Sequence, residues 1–261
     1  MVKRARRLAL CCVNGRSRRA LQSLCLLLVG LALTVGNTAQ AQTGLITGAG
    51  FSEPTTRYDH GVLGPDAEWG ALRLTIAACQ TCDGRDIIVR LPPTRVFEDL
   101  APRLIDLDFD GEPEVVVIES DAAQGARLSI YGATGLITAT PYIGNSYRWL
   151  APLGAADLDA DGVMELAYID RPHLAKILRV WRYQNRALTE VASLGGLTNH
   201  KIGEAFISGG IRACGDGPEI ITADAGWSRI MATKLSDDQL GSREIAAFTG
   251  PGSLAAALSC P

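Results

Sequence analysis

The chain has 261 residues, 47% of them hydrophobic, with 25 basic against 28 acidic side chains and a formal net charge of −3. Seven of the basic residues and none of the acidic ones lie within residues 1–41, so the other 220 residues carry a net charge of about −10. That acidity excludes nucleic acid and anionic membrane as partners, and a chain of this size can bury a substantial core as one domain.

Residues 1–41 come first in chain order. They join a basic stretch (Lys3 to Arg19), an apolar run from Leu24 to Val35 and a small-x-small motif, Ala39-Gln40-Ala41. This pattern predicts a signal peptide cleaved before Gln42. The apolar run is shorter than the roughly 20 residues a spanning helix needs, so no membrane span is expected in the mature chain; an uncleaved anchor is the alternative. Ser17-Arg18-Arg19-Ala20-Leu21 fits either a twin-arginine export signal or an ordinary arginine-rich leader. Residues 42–261 are then expected to form a single exported domain, periplasmic or secreted.

Of seven cysteines, Cys79, Cys82, Cys214 and Cys260 follow the leader. An even number in an exported chain points to disulfides. Cys79 and Cys82 bracket a turn, which favours their pairing over a redox or zinc role and leaves Cys214 for Cys260.

Beyond Gln42 the predicted elements are strands. Leu72–Ala77 alternates with period two, a Gln80-Thr-Cys-Asp-Gly84 hairpin turn follows, and Ile87–Leu91 runs back from it. Arg127–Tyr131, Lys176–Tyr183, Glu219–Thr222 and Ser228–Thr233 continue the pattern, and no amphipathic helix is evident. Short strands between Gly, Pro and Asp turns predict an all-β fold.

Two nine-residue loops stand out, Asp106-Leu-Asp-Phe-Asp-Gly-Glu-Pro-Glu114 and Asp157-Leu-Asp-Ala-Asp-Gly-Val-Met-Glu165. Carboxylates on alternate residues can be gathered round one cation by a tight turn. A glycine at the sixth position is expected where a Cβ would obstruct the bend. The expected ligands are Asp106, Asp108, Asp110, Glu114 and the Glu112 carbonyl in one loop. In the other they are Asp157, Asp159, Asp161, Glu165 and the Val163 carbonyl. Oxygen ligands in this number suit calcium better than magnesium, giving about two calcium ions per chain.

The loops also set an internal period, with Leu100-Ala-Pro102 and Leu150-Ala-Pro152 preceding them. Asp216-Gly-Pro-Glu219 is a third copy without the first two aspartates, and Arg57–Gly64 echoes Tyr147–Gly154. A fifth unit is expected to begin near Arg243 and to be completed by the N-terminal segment. The pattern predicts a small β-propeller of four or five blades, five favoured, closed by pairing between the two ends of the mature chain.

With those loops and that period, the chain resembles the FG-GAP or VCBS repeats, the calcium-binding propeller blades also found in integrin α-subunits. The resemblance implies calcium between the strands of a blade and a role in adhesion or recognition.

His60, His173 and His200 have no metal-binding spacing and are expected on turns or strand ends; Trp69, Trp149, Trp181 and Trp227 are expected to pack between blades. No nucleophile motif is present. The expected function is a non-catalytic binding module, a monomer, with an unknown protein or carbohydrate ligand. The alternative is a small hydrolase or lyase on a propeller scaffold, with calcium as a structural ion.

Overall fold

The computed structural model describes residues 44–64, 67–79 and 82–260; the signal-peptide expectation lies outside them. Thr43–Pro261 is one compact unit. It is all-β apart from one short helix. Seventeen strands are described: β1 Ile46–Thr55, β2 Glu68–Ile76, β3 Arg85–Arg90, β4 Arg95–Phe97, β5 Arg103–Ile105, β6 Glu114–Asp121, β7 Gly125–Gly132, β8 Gly135–Ala139, β9 Leu150–Ala156, β10 Met164–Asp170, β11 Ile177–Gln184, β12 Ala187–Gly195, β13 Leu197–Thr198, β14 Gly210–Ala213, β15 Pro218–Asp224, β16 Arg229–Ser236 and β17 Gln239–Ala247. Helix α1 covers Pro251–Leu258.

All the strand pairings are antiparallel. β9 to β12 form a four-stranded meander, and β13 to β17 a five-stranded sheet in which β13 and β14 share one edge of β15. The first eight strands form one sheet in which β4 bridges β2 and β6, with Trp69 opposite Phe97 at the β2–β4 junction.

The apolar runs after the aspartate loops explain how these sheets stack. Every residue of β6 and β10 is buried. Side chains alternate across a strand, so an uninterrupted apolar run needs cover on both faces. Val115 and Val117 pack with Leu72, Leu74 and Phe97, whereas Val116 and Ile118 pack with Leu166 and Tyr168. The other face of β10, Ala167 and Ile169, packs with Ile220 of β15. Ile221 and Ala223 of β15 then pack against Leu254 of α1. Burial thus passes from one central strand to the next, and the helix covers the last sheet.

Several expectations need correction. Arg243 lies in β17 of the last sheet and starts no fifth unit, while β1 pairs with β2; the two ends of the described chain do not pair. Residues 57–64 contain no strand. Val62 and Leu63 instead fill the cluster between β6 and β10, so their echo of 147–154 is not structural. The helix was not expected: its eight residues, PGSLAAAL, have no charged face, and Leu254 is its one fully buried side chain. The disulfides Cys79–Cys82 and Cys214–Cys260 are both formed. Trp149 and Trp181 are buried in the cluster between β6 and β10, and Trp69 and Trp227 pack at cluster edges. Among the described residues no helix is long and apolar enough to cross a membrane.

Candidate metal centres

The two aspartate loops close on themselves in the same way. The oxygens of Asp106 accept the amides of Asp110 and Gly111 at 3.1 and 3.0 Å, and those of Asp157 accept the amides of Asp161 and Gly162 at 3.0 Å each. Asp110 and Asp161 accept the amides of Glu112 and Val163 at 2.7 and 2.8 Å. Glu114 and Glu165, the first residue of β6 and the second of β10, reach back to the amides of Leu107 and Leu158 at 3.0 and 2.9 Å. Both leucines are buried, anchoring each loop while its aspartates face the turn.

Gly111 and Gly162 share φ of +86°, and no atom lies within 4 Å of a Cβ built at either. Glycine is needed for its left-handed backbone rather than for lack of room, which corrects the steric expectation.

This folding gathers one oxygen each from Asp106, Asp108 and Glu114 within 4.8 Å of one another, and likewise from Asp157, Asp159 and Glu165. Asp110 and Asp161 stand outside these sets, engaged with the turn amides. The donors are all hard oxygens, a set that can hold a metal ion. Burial, followed by the like charges of Asp110 and Asp106, raises the Asp108 carboxyl above its usual range. Burial also raises Glu114 and Glu165, against the Leu107 and Leu158 amide bonds. In the second loop Asp159 Oδ1 is buried with no hydrogen-bond partner. Crowded carboxylates with an orphaned oxygen fit a cation, which would relieve both.

The loops differ at one neighbour. Arg182 of β11 stands opposite Glu165 in the ladder. It donates Nε to Glu165 Oε1 at 2.7 Å and Nη2 to Asp159 Oδ2 at 2.6 Å, and its Nη1 lies 3.1 Å from Asp238. In the first loop Val115 pairs with Tyr131, which puts Gly132 beside Glu114. There an open cleft is lined by Asp110, Glu112, Glu114, Gly132 and Arg186.

The third copy has gone further. Glu219 accepts from Arg212 at 2.8 Å and from Arg243 at 2.5 Å. Burial opposes its ionisation, but the Arg212 hydrogen bond and the charge of Arg243 hold the carboxyl below its usual range.

Sequence reading missed a second cluster. His60 and His173 line one cleft with Tyr147, Arg148 and Arg171, and His173 Nε2 lies 2.8 Å from His200 Nδ1. His60 Nδ1 lies 2.5 Å from Glu98 Oε1, and the other oxygen of this fully buried carboxylate accepts from Ser120 Oγ. Burial raises Glu98, and burial and then His200 lower His173 to about 4. Tyr147 and Arg171 take positive φ, 52° and 47°, an uncommon conformation for large side chains. No spacing rule joins residues so far apart in sequence; only the fold brings them together.

No curated protein matches the chain. Residues 106–168, which run from the first aspartate loop through the second and into β10, match the family model of the FG-GAP-like repeat, so this stretch of the chain is FG-GAP-like repeat sequence.

Proposed function

We propose that the chain is an exported, calcium-stabilised interaction module with a β-propeller-like architecture. We read the three sheets as four blades, counting the eight-stranded one as two, within a domain spanning residues 42–261. The observation that carries the reading is the pair of matching loops, each converging three carboxylates within 4.8 Å. Hard oxygen donors gathered in this way suit calcium. Asp106, Asp108, Asp110 and Glu114 would hold one ion with the Glu112 carbonyl; Asp157, Asp159, Asp161 and Glu165 would hold the other with that of Val163. When bound, the ion neutralises each turn at the point where it enters a central strand. The two disulfides and the repeat are consistent with an extracellular protein. The ligand class expected is a protein or a carbohydrate, bound by a monomer.

A ligand that binds only the native state raises its melting temperature. Fully demetallated protein is expected to melt at a lower temperature than protein in excess calcium. Identical melting curves would remove the calcium role.

A second reading, catalysis, is favoured by one observation, the His60–Glu98–Ser120 chain opening on a cleft. A buried carboxylate that orients an imidazole is a general-base arrangement. A panel of chromogenic esters, phosphomonoesters and glycosides tests it. Turnover lost in both H60A and E98Q supports it; no turnover, or turnover retained in H60A, contradicts it.

A further inference from the structure

The position opposite the loop-closing glutamate changes from copy to copy. Beside Glu114 stands Gly132, opposite Glu165 stands Arg182, and beside Glu219 stands Lys234, since Ile220 pairs with Thr233. The acidic side of the site shrinks in the same order. The first loop has five carboxylates, the second has four, and the third copy keeps only Asp216 and Glu219. In that third copy Lys234 Nζ donates to the Asp216 carbonyl at 3.0 Å, while Arg212 and Arg243 take the glutamate. Cationic side chains thus occupy the third copy where the other two converge carboxylates.

The second loop is intermediate. Its guanidinium touches Asp159 and Glu165 and lies 3.6 Å from Asp161, yet Asp159 Oδ1 remains buried and unpartnered. One seat is left beside a resident positive charge. At the first loop the equivalent space is the open cleft beside Gly132; Arg186 also lines it and acts on Asp108 through its charge, but among the described residues it forms no ion pair with the loop.

We propose that the two loops are unequal cation sites, with Arg182 as the built-in determinant of the difference. The first loop takes a divalent cation tightly and depends on it for its shape. The second takes one weakly, because Arg182 already neutralises part of its charge, and keeps its shape without one. This inference rests on the reading of the loops as cation sites. Affinity in such oxygen sites follows ligand charge count, and a fixed charge a few ångströms away acts directly on an incoming ion, so the two affinities should differ by about tenfold or more.

The test is a calorimetric calcium titration of the demetallated protein. Wild type is expected to show two unequal steps, the tighter lost in D106N and the weaker in D157N. Arg182→Gly, which copies the first loop, is expected to tighten the step that D157N removes and to leave the other unchanged. Gly132→Arg is expected to weaken the step that D106N removes; a side chain there meets only the flexible end of Ile137, at 3.0 Å. Two equal steps in wild type, or an R182G variant with its weaker step unchanged, overturn the inference while leaving the metal reading intact. No binding in wild type or in R182G overturns both. Hydrogen exchange of wild type in excess chelator is independent of whether the variants fold. Residues 106–114 are expected to lose amide protection while 157–165 keep it, and equal loss in both loops overturns the inference.

Discussion

Asp224 shows how one carboxylate can organise a turn without any cation from outside. Each of three central strands carries a loop-closing glutamate as its first or second residue and ends on an aspartate that starts the next turn: Glu114 and Asp121 in β6, Glu165 and Asp170 in β10, Glu219 and Asp224 in β15. Asp224 accepts the amides of Ser228 and Arg229 at 2.7 and 2.9 Å and the Ser228 hydroxyl at 2.9 Å. Burial works against its charge, but these bonds outweigh burial and bring the carboxyl down to about 2. A carboxyl held below its unfolded range gives stability that is present above about pH 4 and is lost as the pH falls toward 2. D224N is therefore expected to cost about 2 kcal/mol at neutral pH and little at pH 2, which denaturant melts at the two pH values will check. At this scale the metal aspartates were legible in the sequence, because alternate carboxylates and one glycine are a local pattern. Arg182 was not, because only strand register places it against Glu165, 17 residues away in the chain.

At the scale of elements, the β6 and β10 runs were legible as strands, but their cover on both faces emerges only from the stacking of neighbouring sheets. Helix α1 was invisible for the opposite reason. It is two turns long, begins at Pro251 after Gly250 with φ of 133°, and owes its place to the apolar face of β15 and β16. Arg212 Nη1 donates to the Ala257 carbonyl at 2.8 Å, and the Cys214–Cys260 bond ties the segment after the helix to the last sheet. Leu254→Ala is expected to cost about 2–5 kcal/mol, since the side chain is fully buried and its removal leaves a cavity. Cys260→Ser opens a closure with a sequence separation of 46 and is expected to cost about 2–4 kcal/mol. Both are read by chemical denaturation, and a change of less than about 0.5 kcal/mol in either, the range of ordinary surface substitutions, contradicts the anchoring role.

At the scale of the molecule, the repeat was legible from its 51-residue spacing between matching loops, whereas the closure expected from it was not found. The N-terminal strand extends the first sheet through β2, and the far end of the chain is covered by a helix. Deleting residues 44–55 is therefore expected to strip amide protection from 68–97 and leave 210–247 protected, as read by hydrogen exchange. Loss of protection in both regions would show that the two ends depend on each other after all. The cation claim is tested most directly by anomalous diffraction from crystals grown in calcium. The expected result is a peak about 2.3–2.6 Å from oxygens of Asp106, Asp108 and Glu114. Ordered density for those three side chains with no peak between them would contradict it.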